Sequence, residues 1–110
     1  MRISYAATVV SVLLFPMPVH AQEVGSPGTG LTFARANCAG CHAVESVDAL
    51  SPNFDAPSFA SVAATPGMTG HALAVWLQTS HPTMPNFIIS PDDQDNIIAY
   101  ILSLKPAPAR

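Results

Sequence analysis

Residues 38–42 read CAGCH and carry the side chains with the richest chemistry in the chain. Cys38 and Cys41 place two thiols three positions apart, and His42 adds an imidazole directly after the second thiol. Thiols and imidazoles bind zinc, and two closely spaced thiols form redox-active disulfides. The pattern C-x-x-C-H also serves for covalent attachment of a haem. The rest of the sequence decides between these three chemistries.

Zinc and dithiol chemistry both lack the context that they need. A structural zinc ion takes four protein ligands, and after residue 21 only His71 and His81 remain beyond the CAGCH stretch, neither in a second paired motif. A thioredoxin-like dithiol requires a βαβ unit, and the sequence shows no alternating strand pattern. A plain disulfide between Cys38 and Cys41 is awkward on a helix and leaves a small core unassisted.

Covalent haem attachment accounts for every position of the pattern. Two thiols add across the two vinyl groups of the porphyrin, so their spacing on one turn of chain must match the vinyl separation. The next residue then presents an imidazole to the iron. We therefore interpret Cys38 and Cys41 as thioether attachment sites for one covalent haem c, and His42 as an iron ligand.

The first 21 residues have the composition of an export signal. Arg2 makes the start basic, residues 6–15 form an apolar run of ten residues, and small residues follow at the spacing that signal peptidase accepts. A retained membrane anchor is the alternative, but an apolar run this short, followed by Pro16 and Pro18, does not span a bilayer comfortably. We expect residues 1–21 to be a cleaved signal peptide and the mature protein to reside in the periplasm.

Removal of residues 1–21 from the 110-residue chain leaves 89 residues with six aromatic side chains, which is little material for a core. Domains of this size usually need a staple or an embedded cofactor. Three basic and seven acidic side chains remain, a net charge of −4, with no basic patch for nucleic acid. We expect a monomer without stable membrane insertion of the mature chain.

The mature chain divides into a leader, one domain and a tail. Composition predicts a flexible leader over residues 22–29, a single domain over 30–104 and a Pro-rich tail over 105–110. Within the domain, spacing predicts a first helix from near Gly30 into the CAGCH stretch, with Gly30, Ala34 and Cys38 on one face. A brief helix is expected near residues 59–64 and a middle helix over about 70–79.

The last helix has the clearest signals in the sequence. Ser90 suits the N-cap, Pro91 the first helical position, and Asp93 stands three residues after the cap. Apolar and aromatic residues then recur at helical spacing, at Ile97, Tyr100, Ile101 and Leu104. No repeat or strand pattern accompanies these helices, so the fold class should be all-α.

Three stretches resemble the small class I cytochrome c family: GLTFARANCAGCH at 30–42, TMPNF at 83–87 and DNIIAYILSL at 95–104. The resemblance spans nearly the whole domain. It implies the cytochrome c fold, with three to five helices around one covalently bound haem and with the N- and C-terminal helices crossing. Gly30 and Ala34 match the small residues of the family that let the C-terminal helix approach closely. Ile97 and Tyr100 match the apolar and aromatic residues on that helix.

The second axial ligand has four candidates after residue 21: Met68, Met84, His71 and His81. Met84 is favoured because Pro82 and Pro85 flank it, exclude a helix and stiffen the loop that would hold its thioether on the iron. The resemblance agrees, since the ligand Met of the family commonly precedes a Pro in this region. Met68 and His81 are the main alternatives.

Two further residues are assigned supporting roles. The outer ring nitrogen of His42 should donate to a backbone carbonyl, which fixes the orientation of the imidazole. The resemblance implies a carbonyl that belongs to a Pro, and Pro57 in APSF (56–59) is the choice, with SPNF (51–54) as the rival. Trp76 either contacts a haem propionate, as a Trp does in some relatives, or is a simple core residue.

These residues together predict a function. An iron held by His and Met has both axial positions filled and exchanges one electron with little rearrangement, and the thioether raises its reduction potential relative to bis-His ligation. We expect a periplasmic one-electron carrier between a redox donor and a redox acceptor protein, and not an enzyme. The alternatives are a haem subunit of a periplasmic dehydrogenase, or a haem enzyme or gas-binding protein whose Met dissociates.

Overall fold

The computed structural model of the chain describes residues 15, 24–47, 50–85 and 87–108. These residues contain four helices and no strand, which confirms the predicted all-α class: α1 (Pro27–Asn37), α2 (Phe59–Ala63), α3 (Gly70–Gln78) and α4 (Pro91–Ser103). None of these described helices is long and apolar enough to cross a membrane. The proposed signal peptide, apart from residue 15, lies outside the described residues.

Helix α1 begins three residues before its predicted start near Gly30. Ser26 is its N-cap, where the hydroxyl oxygen accepts a hydrogen bond from the backbone N–H of Thr29, and Pro27 occupies the first helical position. Ser followed by Pro is a strong start signal for a helix, because the hydroxyl satisfies a free amide and Pro has the required φ. This local signal outweighs the turn-forming glycines that predicted a leader here.

The residues just before α1 are docked on α4. The backbone N–H of Ser26 donates to Asn96 Oδ1 over 2.7 Å. Gly25 has a φ of 112°, and a Cβ at this position would overlap the backbone of Asp95. The prediction of a flexible leader over 22–29 is therefore wrong for residues 25–29, because a glycine in the left-handed region brings the chain into close contact with α4.

The first and last helices meet at Gly30, as the resemblance implied. A Cβ on Gly30 would overlap the backbone of Asn96 and lie 2.8 Å from Tyr100 Cβ, so this contact requires glycine. Ala34, one turn further along α1, is fully buried, and so is Ile97 on α4. Small residues on α1 thus let α4 lie close enough for its apolar face to form most of the core.

Helix α4 has the capping that the sequence predicts. The Ser90 hydroxyl oxygen accepts a hydrogen bond from the Asp93 backbone N–H over 3.2 Å, and Pro91 is the first helical residue. Its buried residues are Ile97, Ile98, Ala99, Tyr100 and Ile101. Residues around 92–95 remain at the polar start of the helix, where carboxylates stabilise the exposed amides.

The two short helices close the core on the other side of α4. Helix α2 is capped by Ser58 and α3 by Thr69, whose hydroxyl oxygens accept from backbone amides three residues later over 3.1 Å in each case. Both helices contact α4, and they bury Phe59 and Leu73 respectively. The predicted positions of these helices are confirmed to within one residue.

Candidate functional site

The CAGCH residues form a tight turn at the end of α1. The helix ends at Asn37, so the prediction that it runs into CAGCH is wrong. The backbone N–H groups of Cys41 and His42 both donate to the carbonyl of Cys38, over 3.1 and 3.0 Å. These shared bonds tighten the chain after the last helical turn, and all three motif residues line one cavity.

The two cysteines are free thiols, with Cys38 half-buried and Cys41 exposed. Burial raises the pKa of the Cys38 thiol to about 11, so this group stays protonated at neutral pH. Redox-active dithiols depend on a lowered thiol pKa. Within the described residues there is also no cluster of three or more His, Cys, Asp or Glu side chains that could hold a metal ion. Dithiol and zinc chemistry therefore find no support.

The cavity beside the turn has a volume of about 530 Å³ and receives residues from all four helices. Apolar side chains dominate it, and Asp55 is the single carboxylate among the described residues that line it. The apolar contribution comes chiefly from Phe33, Phe59, Val62, Leu73, Trp76, Leu77, Phe87, Ile89, Ile97 and Ile101. A mostly apolar cavity with a few polar groups is typical of a cofactor site.

His42 is held at the wall of this cavity by its neighbours. Its Nδ1 lies 2.7 Å from the carbonyl oxygen of Pro57. When Nδ1 donates to that carbonyl, Nε2 is the ring nitrogen left to bind a metal. The rival SPNF stretch takes a different role, since the Ser51 hydroxyl oxygen accepts from the backbone N–H of Ala43 over 3.0 Å. The ring centroid of Phe59 lies 5.5 Å from that of His42.

Two contacts that the sequence did not predict hold the segment after His42. The buried Tyr100 hydroxyl on α4 donates to the carbonyl of Val44, and the Phe59 backbone N–H donates to the carbonyl of Ala43 over 2.9 Å. The Phe59 ring also contacts the Tyr100 ring, with centroids 6.4 Å apart. The one signal in the sequence was the hydroxyl of Tyr100 on an apolar helix face, which needs a partner when buried.

An ion pair closes the loop around the motif. Arg35 near the end of α1 binds Glu45 in bidentate fashion, with N–O distances of 2.5 and 3.1 Å. The hydrogen bond from Arg35 holds the pKa of the Glu45 carboxyl below its usual value. The pair was not predicted, although opposite charges on either side of CAGCH were visible in the sequence.

The candidates for the second axial ligand separate into two groups. Met68, Met84 and His81 line the cavity, whereas His71 is exposed on α3 and does not line it. Met68 packs against the hydrophobic core. Met84 lies in the non-helical segment bounded by Pro82 and Pro85 and does not belong to that core in the described part of the chain.

Trp76 lies on the cavity side of α3 but is not a core residue. Its side chain is 58% exposed, and it does not belong to the described hydrophobic core. Its ring is 4.8 Å from the ring of His81, with an angle of 40° between the planes. The two rings contact each other, and both residues line the cavity.

A protein-family model described as Cytochrome c matches residues 28–105, well over half of the chain. The chain belongs to the cytochrome c family. A curated relative, cytochrome c-552 from Bradyrhizobium diazoefficiens, is 43% identical over 79 residues, which cover 72% of this chain and 75% of the relative. No solved structure matches the chain significantly.

The residues around the cavity fit the cofactor of the cytochrome c family. Cys38 and Cys41 match its attachment motif, and the cavity supplies an apolar enclosure with one imidazole whose Nδ1 is already engaged. The cofactor of this cytochrome c is therefore covalent haem c. It is an electron-transfer protein and not an enzyme, and its partners are redox proteins.

Proposed function

We propose that this cytochrome c is a periplasmic one-electron carrier whose haem iron is bound by His42 and Met84. The observation that supports Met84 most directly is the different placement of the two methionines at the cavity. Met68 is used in packing against the core, whereas Met84 lines the cavity from a segment that two prolines keep out of a helix. A loop of this kind can hold a thioether in one position.

The proposed ligand pair suits electron transfer. The haem supplies the redox chemistry, and a filled sixth position lets one electron enter or leave without exchange of ligands. His42 keeps one orientation because the Pro57 carbonyl engages its Nδ1. The thioether of Met84 stabilises ferrous iron, so we expect a higher reduction potential than for two imidazole ligands. We also propose that the indole N–H of Trp76, which lines the cavity, donates to a haem propionate.

The proposed location follows from the first 21 residues. A basic start and a short apolar run ending in small residues are typical of a cleaved export signal. Fractionation of cells into periplasm and membranes, with mass spectrometry of the mature N-terminus, tests this proposal. A chain that begins at Met1 and remains in the membrane fraction would overturn it.

Optical spectra of the holoprotein test the ligand assignment. The ferric protein should show a weak sulfur-to-iron charge-transfer band in the far red, and Met84→Ala should remove it. The same variant should have a lower reduction potential and should bind carbon monoxide in the ferrous form, because the sixth position is open. Met68→Ala and His81→Ala are the controls that should keep the band. Loss of the band in Met68→Ala would assign the ligand to Met68 instead.

A further inference from the structure

The segment that carries Met84 begins where α3 ends, and its first residues fold back on that helix. The Thr79 backbone N–H donates to the carbonyl of Trp76 over 3.3 Å, and the Thr79 hydroxyl donates to the carbonyl of Val75 over 2.6 Å. Two residues later the ring of His81 contacts the ring of Trp76. The start of the Met84 segment is therefore attached to the last turn of α3.

The contact between His81 and Trp76 has the geometry of an aromatic pair. The two ring centroids lie 4.8 Å apart, inside the range of about 4.5–7 Å that such pairs prefer. His81 is partly buried and lines the cavity, whereas His71 on α3 is exposed and does not line it. The ring of His81 is therefore packed against the protein and differs in this respect from that of His71.

The chain between His81 and Met84 is short and stiff. Only Pro82 and Thr83 separate these two residues. Pro82 has a fixed φ and restricts His81 before it to extended backbone, and Pro85 restricts Met84 in the same way. Thr83 is thus the one residue of this stretch that no proline restricts. A fixed position of the His81 ring therefore limits the positions that the Met84 side chain can reach.

We propose that His81 is a positioning residue for Met84. By packing on Trp76, its ring fastens the Met84 segment to α3 and so keeps the thioether at the iron. A ligand that is already held in its bound position binds more tightly, because it loses less freedom on binding. The proposal rests on the proposed ligation by His42 and Met84, and it adds the residue that maintains this ligation.

Displacement of Met84 by added imidazole in the ferric holoprotein tests this proposal. Stopped-flow spectroscopy follows the loss of the charge-transfer band, and at high imidazole concentration the rate reaches a limit set by release of the thioether. His81→Ala should raise this limiting rate by about two- to tenfold, the factor that corresponds to the loss of one aromatic pair. Before imidazole is added the band should be present in this variant, since Met84 is still the ligand.

Two further variants separate ring packing from other effects. His81→Phe keeps a ring for Trp76 but removes both ring nitrogens, and it should restore a rate close to that of the wild type. His71→Ala is the matched control, because it removes an exposed imidazole from α3 outside the cavity, and it should leave the rate unchanged. A wild-type rate in His81→Ala would overturn the proposal. An equal acceleration in His71→Ala, or a His81→Phe variant as fast as His81→Ala, would also overturn it.

A double-mutant cycle with Trp76→Ala tests whether Trp76 is the residue through which His81 acts. In the Trp76→Ala background, His81→Ala should cause no further acceleration, because the ring on which His81 packs is gone. Other contacts of Trp76 do not affect this comparison, since they are absent from both of the variants compared. The same acceleration in this background as in the wild type would contradict the proposal.

The charge-transfer band separates this proposal from the ligand assignment. If Met84→Ala removes the band but His81→Ala releases the thioether as slowly as the wild type, Met84 is the ligand and the positioning proposal alone is wrong. If Met84→Ala keeps the band, Met84 is not the ligand, and the positioning proposal falls with the assignment.

Discussion

Tyr100 shows how one side chain on α4 connects the core to the haem site. Its hydroxyl donates to the carbonyl of Val44, two residues after the proposed iron ligand His42. Its ring contacts Phe59, which in turn contacts the His42 ring. The carbonyls of Ala43 and Val44 are thus both bound by groups from other elements. These two bonds fix the backbone after His42, and the Pro57 carbonyl engages its ring nitrogen Nδ1. The imidazole therefore has little freedom to rotate.

Removal of the Tyr100 hydroxyl should weaken this arrangement. Tyr100→Phe keeps the ring but leaves the buried Val44 carbonyl without its donor, and we expect the free energy of unfolding to fall by about 1–3 kcal/mol. Urea denaturation of the holoprotein measures this change. Ser103→Ala, which removes a less buried hydroxyl from the same helix, is the control and should cost less. Equal stability of Tyr100→Phe and wild type would mean that the hydroxyl contributes nothing.

At the scale of elements, the contact between α1 and α4 depends on the absence of side chains on α1. Gly30 lies directly on the backbone of α4 at Asn96, and Ala34 is fully buried one turn later. Gly28 lies on the same helix, and a Cβ there would have no neighbour within 4 Å. The two glycines therefore form a matched pair, one at the helix contact and one in open space.

The same substitution should have opposite effects at these two positions. Gly30→Ala should lower the free energy of unfolding by about 1–3 kcal/mol, because its methyl group forces the helices apart. Gly28→Ala should leave it unchanged or raise it by up to about 1 kcal/mol, since alanine favours the helix and meets no obstacle. Thermal unfolding of both variants checks the comparison. A harmless Gly30→Ala would show that the helices can separate without cost.

The Arg35–Glu45 ion pair joins the end of α1 to the loop after the motif, and its contribution should depend on pH. The hydrogen bond from Arg35 lowers the pKa of Glu45 in the folded protein. The stabilisation is therefore complete above the ordinary carboxyl pKa and disappears as the pH falls through the lowered one. Because both side chains are partly exposed, the effect should be small.

Glu45→Gln should accordingly destabilise the holoprotein near neutral pH, and this effect should shrink at acid pH as the wild-type carboxylate becomes protonated. Urea denaturation at both pH values tests this. Arg35→Gln should give the same loss near neutral pH, and the double variant should lose no more than either single variant. A loss that persists unchanged at low pH would assign the effect to packing instead of charge.

At the scale of the whole molecule, the hydrophobic core and the wall of the haem cavity share residues. The described core consists of Ala34, Val44 and buried residues of α2, α3 and α4, and four of these nine residues also form the cavity wall. Phe59, Leu73, Ile97 and Ile101 each face the cavity as well as the core. A bound haem would fill the apolar cavity against which these buried side chains pack, and a chain without it would have to keep that cavity open or collapse around it.

Loss of haem attachment should thus prevent stable folding. The double variant with Cys38→Ser and Cys41→Ser should be colourless, and its far-ultraviolet circular dichroism should show little helix, because the apolar cavity wall is left unfilled. Ala39→Ser changes the same turn but keeps both thiols, so it should retain the haem after acid extraction into organic solvent. A colourless double variant with native helix content would show that the core suffices alone.

The sequence by itself determined the features that depend on neighbours along the chain. The C-x-x-C-H pattern specified the haem attachment, Ser90 and Pro91 specified the start of α4, and the spacing of Ile97 and Tyr100 specified its buried face. Caps and helix faces involve residues within about one or two turns of each other, so their signals are local. Gly30 was identified through the resemblance to cytochrome c, and its contact with α4 is seen in the structure.

Only the tertiary structure decided which distant groups meet. Tyr100 lies 56 residues from Val44, and no local pattern connects a hydroxyl on one helix with a carbonyl in a loop. The docking of residues 25 and 26 on α4 is a second contact that no local pattern predicted. The sequence also left Pro57 and the SPNF stretch open as partners of His42, since either loop could reach the ring. Which of these contacts form depends on how all the elements pack around the cavity. The spacing of residues along the chain does not specify that packing.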